Sequence, residues 1–165
     1  MIYKPSESEL SHTARAIGAL FLNFSALEHT ISLAVAAMLE LTPKQEKPLV
    51  RGMMSRAKLD MLDAFAKAHW SKEDRQTLKD ITDAARAVTD YRNDFAHGII
   101  SHDENGKWGV VCYRGQHRFV GIVKPFTPAE LLLQSGEAER LALQFQALAD
   151  AIDQREPTSP PLQIH

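Results

Sequence analysis

Four segments of this 165-residue chain each begin with a helix-capping signal and continue with apolar residues at steps of three and four. That period confines most of the chain to helices buried along one stripe. In the first segment, Pro5-Ser6-Glu7-Ser8-Glu9 sets a serine cap before acids in the first turn. Its stripe is Ile17, Leu20, Phe21, Phe24, Leu27, Ile31, Val35 and Met38, which predicts one long helix to about Leu41. Thr42-Pro43 opens the second segment, with proline where its missing N–H costs nothing. Leu49, Met53, Ala57, Leu59, Leu62, Phe65 and Ala66 give this segment an apolar face to about Trp70, with Pro48 as a kink or a restart. Ser71, followed by Glu73 and Asp74, caps a third helix that should run to His97. Thr127-Pro128-Ala129-Glu130 is a capping box that opens the last helix, whose stripe is Leu131, Leu132, Ala138, Leu141, Phe145, Leu148 and Ile152. Gly136 marks a candidate break within it.

Between the third and fourth helices the period changes. Gly98 to His102 reads as a short strand, and Asp103-Glu104-Asn105-Gly106 as a tight turn. Trp108 to Tyr113 and Phe119 to Val123 are β-branched and aromatic runs around Arg114-Gly115-Gln116. The expected fold is therefore mainly α: a four-helix bundle with a small β-hairpin or meander between helices 3 and 4. Residues 1–156 form a single domain, and the proline-rich residues 157–165 form a flexible tail.

Net charge of −2 and a pI near 6.4 exclude a chain that is basic all over, so any nucleic-acid surface must be a local patch. One such patch is on the expected hairpin. Lys107, Arg114, His117, Arg118 and Lys124 alternate there with Trp108, Tyr113 and Phe119, a mixture suited to single-stranded RNA, though an ordinary exposed hairpin carries the same composition. Arg51, Arg56 and Lys58 form a second, smaller basic group, read as a solvated face or part of a phosphate track. Cys112 is the single cysteine, so an internal disulfide and a multi-cysteine zinc site are excluded, and its apolar surroundings predict a buried thiol. No His-x-x-x-His pair occurs, and no metal or other cofactor is expected. The N-terminus is polar and lacks the apolar core of a signal peptide, and the longest apolar run, near 31–41, is too short for a bilayer. A cytoplasmic protein without membrane association is expected.

The third helix ends in Tyr91-Arg92-Asn93-Asp94-Phe95-Ala96-His97-Gly98. Arg92 falls on the apolar stripe made by Leu78, Ile81, Ala85, Val88 and Phe95. An unpaired charge there is costly, so Arg92 needs a partner or a function. Glu28 is a carboxylate on the stripe of the first helix and is a candidate partner, unless it reaches solvent at the stripe's border. At about 100° per residue, Asn93 and His97 stand only about 40° apart, while Arg92 and His97 stand about 140° apart.

Arg92-Asn93-Asp94-Phe95-Ala96-His97-Gly98 resembles the signature of the HEPN superfamily: an arginine, four to six residues often led by a polar one, then a histidine. The resemblance implies an all-helical bundle. It also implies a metal-independent endoribonuclease of the kind found in toxin–antitoxin and defence systems, or a relative that has lost activity and binds partners. On the first reading His97 is general acid or base, Arg92 stabilises the phosphate, and Asn93 orients His97 or the phosphate. The RNA 2′-hydroxyl is the nucleophile, so the products carry 2′,3′-cyclic phosphates. Because one site offers one histidine, the resemblance also implies a homodimer that pairs two motifs, with an antitoxin or other protein as a further partner. The alternative is a non-catalytic module that binds a protein or a nucleotide. There Arg92 and Glu28 are a structural pair, and His97 a cation at a helix C-terminus.

Overall fold

The computed structural model describes residues 5–113 and 121–154. Helix α1 spans Glu7–Met38, and α2 is the single turn Pro43–Glu46. A π-helical turn, Lys47–Arg51, follows. Helix α3 covers Ser55–His69, α4 Lys72–His97 and α5 Pro128–Asp153. Strands β1 (Ile99–His102), β2 (Trp108–Tyr113) and β3 (Gly121–Pro125) lie between α4 and α5 as an antiparallel sheet in the order β1-β2-β3.

The caps act as the sequence predicts. Ser6 and Glu9 form a reciprocal box at the start of α1, Ser71 Oγ accepts from the Asp74 N–H, and Thr127 and Glu130 form the box that starts α5. The expected second helix is where the structure departs. It is split three ways, because Pro48 has no N–H to continue the α ladder and Gly52 interrupts the next turn. Gly136 breaks nothing: α5 runs through it. The last strand is described from Gly121; Phe119, where the sequence reading begins it, lies outside the described residues, as do Arg114, His117, Arg118 and the 157–165 tail.

Helices α1 and α5 lie side by side over most of their length. They run in the same direction. Ala16, Leu20 and Leu131, near their starts, share one core cluster, whereas Ile31, Val35 and Met38 share the other with Phe145 and Ala149 near their ends. Asn23 fixes the offset by donating to the backbone carbonyl and the hydroxyl of Ser135. Helix α4 runs back across them, with Leu78 in the larger cluster and Phe95 in the smaller. Arg86 holds α4 to α3 through Asp63 at 2.6 Å and Asp60 at 2.9 Å. Among the described helices α1 alone is long and apolar enough to cross a bilayer, but half of its most apolar stretch is buried inside the fold, as in a core helix. A search for unbroken apolar runs misses this, because the apolar residues of α1 are spaced rather than contiguous.

The sheet packs one face on the helices. Trp108, Val110 and Cys112 alternate along β2 toward the smaller cluster with Phe95 and Phe126, and Cys112 is buried as expected. Ile99, Val111 and Val123 stand in register on the opposite face.

Candidate active site at the end of helix α4

Arg92 is held from three sides. Its Nη2 lies 3.3 Å from Glu28 Oε2, its Nη1 donates to Asn93 Oδ1 at 3.1 Å, and the guanidinium carbon sits 3.9 Å from the centre of the Phe24 ring. The side chain is 18% exposed and that of Glu28 38%. The expected partnership of the two stripe charges is present, and the aromatic floor adds cation–π attraction. Glu28 is itself fixed, because Oε1 accepts from Ser55 Oγ at 2.6 Å. One donor is left over: Arg92 Nε is buried and makes no hydrogen bond.

His97 closes α4 and is exposed to solvent. Asn93, one turn earlier, is half-buried and bonded to Arg92. Along the helix axis Arg92 and His97 are separated by about 7.5 Å. Gly98 fixes where the helix stops. A Cβ at this position would collide with the Val110 side chain and the Asp94 carbonyl, so only glycine lets α4 end this close to β2. Asp94, within the same motif, is taken up by an ion pair with Lys124 of β3. Phe95 stacks between Tyr91 and Phe126.

Of the expected basic and aromatic hairpin patch, only part falls among the described residues, and that part is not one continuous face. Lys107 is exposed, but Lys124 is bound to Asp94, and Trp108 turns inward against Phe126 and His102. The physical reason is strand alternation: Trp108 shares the face of Val110 and Cys112, which the helices cover. Arg114, His117 and Arg118 lie outside the described residues.

A second polar group beside Arg92 corrects the reading of Lys58 as part of a solvated basic face. Lys58 is buried, at 5% exposure, and donates to Ser32 Oγ at 2.9 Å. Ser32 Oγ in turn donates to the Glu28 carbonyl. Burial pushes the Lys58 ammonium below its ordinary pKa, against the pull of Glu28 and Glu46. The π turn brings Arg51 onto Glu46, five residues earlier, with Nε 3.2 Å from Oε1. Among the described residues no group of three histidine, cysteine or acidic side chains is placed to hold a metal ion. No family model, curated protein or solved structure matches the chain.

Proposed function

We propose that the protein is a metal-independent endoribonuclease of HEPN type, acting through Arg92, Asn93 and His97 as a homodimer. The observation that carries this reading is the division of labour on one helix end. Arg92 is clamped by Glu28, Asn93 and Phe24, while His97 is left in solvent about one and a half turns away. A preorganised guanidinium suits the charge that builds on a phosphate in the transition state. An exposed imidazole suits proton transfer near neutral pH.

In this mechanism the 2′-hydroxyl loses its proton to one His97, attacks the adjacent phosphorus and expels the 5′-oxygen. The second protomer's motif supplies the acid for that leaving group. The phosphorus–oxygen bond to the next nucleotide breaks as the cyclic one forms, so atoms and charge balance without metal. The ring of Phe21, 36% exposed, lies 5.9 Å from the Arg92 guanidinium and offers apolar contact at the edge of such a seam. Cleavage of single-stranded RNA in excess EDTA tests the proposal. His97→Ala is expected to lower the rate by roughly 10²–10⁴.

A non-catalytic, partner-binding role is the second reading. It is favoured by the Arg92–Glu28–Ser55 chain, which gives Arg92 a structural purpose with no ligand present. A folded wild-type protein that leaves RNA intact under these conditions favours it over the first. The cellular setting we propose is cytoplasmic, as a toxin or defence component.

A further inference from the structure

An open cavity of about 270 Å³ lies beside the Arg92 clamp, lined by Glu28, His29, Ser32, Arg51, Met53 and Lys58. Lys58, one of the lining residues, is 5% exposed. An ammonium has three donors, and Lys58 uses one, on Ser32 Oγ. Arg51 spends its Nε on Glu46 and also lines the cavity, with its two terminal nitrogens still able to donate. An anion in the cavity can accept from the two remaining donors of Lys58. The cavity opens to solvent, so a ligand can reach it.

We propose that this cavity binds a terminal phosphate dianion, held by Lys58, Arg51 and His29. Two converging cations match the charge of a dianion. The volume lies just below the range of drug-sized pockets, enough for a phosphate group and its water but little more. A terminal phosphate carries up to two charges and can enter end-on, whereas a backbone phosphodiester carries one charge and is flanked on both sides. The opposing charge is Glu28, which is occupied by Arg92 and Ser55, and Glu46 is occupied by Arg51. The site stands independently of the chemistry proposed for His97.

Calorimetric titration of the full-length protein with inorganic phosphate, in chloride buffer, tests this directly. Saturable binding is expected. Lys58→Met should weaken it about ten- to a hundredfold, as the loss of a charged hydrogen bond does. Arg51→Gln should weaken it several-fold, with folding checked by circular dichroism because the change leaves the buried Glu46 carboxylate unpaired, and Glu46→Gln, which frees Arg51, should tighten it. Titration with adenosine monophosphate against adenosine separates the sources. Binding of the monophosphate shows that a nucleotide's terminal phosphate fits, and binding of inorganic phosphate alone shows a site for the free anion. Either supports the phosphate site. Absence of binding by both inorganic phosphate and the monophosphate, equal affinity in wild type and both Lys58→Met and Arg51→Gln, or acetate binding as tightly as phosphate overturns it.

Discussion

Removing the Glu28 carboxylate tests how Arg92 is held. In Glu28→Ala, Arg92 Nη2 loses its ion-pair partner at 3.3 Å and Ser55 Oγ loses the acceptor at 2.6 Å. Arg92 Nε has no partner to begin with, so only the bond to Asn93 and the contact with Phe24 remain. Breaking a fully buried pair costs about 3–5 kcal/mol, and an exposed pair contributes about 0.2–1 kcal/mol. At 18% and 38% exposure this pair lies between those limits, because water regains part of each charge. The Ser55 bond to an ionised acceptor adds about 1.5 kcal/mol or more. The expected loss is therefore about 2–3 kcal/mol, or a fall in Tm of roughly 4–12 °C for a chain of this size. Urea unfolding followed by circular dichroism, with an unchanged m-value, measures it. A double-mutant cycle with Arg92→Met should return a coupling of about 1–2 kcal/mol. A loss below about 1 kcal/mol, or a coupling indistinguishable from zero, refutes the clamp as described.

Gly98→Ala should destabilise by about 1–3 kcal/mol, since the added methyl meets Val110 and the Asp94 carbonyl; thermal unfolding within experimental error of wild type would contradict that close approach. Lys58→Met should cost less than about 1 kcal/mol at neutral pH and can stabilise, because a buried cation is replaced by a side chain of similar length. The sign follows from linkage. Lys58 has a folded pKa below its ordinary 10.5, so between the two values the unfolded chain binds the extra proton. Wild-type stability should therefore gain from Lys58 as pH rises through the folded value toward 10.5, and Lys58→Met should lose that rise. Sedimentation at tens of micromolar should show a dimer of this chain, and a monomer there would remove the second histidine on which the proposed acid–base pair depends.

The helix ends were legible because caps are local: Ser6, Ser71 and Thr127 each act on an N–H three residues away. The Arg92–Glu28 contact was legible for a different reason. Each charge breaks an apolar stripe, and burying one requires another. The same wheel test identifies Lys58, four residues before Leu62 and eight before Ala66 on the buried face of α3, but its neighbours Arg51 and Arg56 made it resemble a surface cluster. The π turn at Lys47–Arg51 has no comparable signal. Pro48 announces a disturbance without saying how the ladder is re-formed. The Lys124–Asp94 pair is not legible in the sequence, because the partners stand thirty residues apart and nothing local couples a strand to the end of a helix.

The most direct test of the proposed chemistry is the structure of the cut ends. A defined single-stranded RNA, incubated with the protein in excess EDTA and analysed by mass spectrometry, should yield 2′,3′-cyclic phosphate and 5′-hydroxyl termini. A single 2′-deoxy substitution at the cleaved nucleotide should abolish that cut, and His97→Ala should slow it by roughly 10²–10⁴. Cleavage that persists at the 2′-deoxy position, or that proceeds at the wild-type rate in a folded His97→Ala protein, would contradict a mechanism built on the RNA hydroxyl and the imidazole at the end of α4.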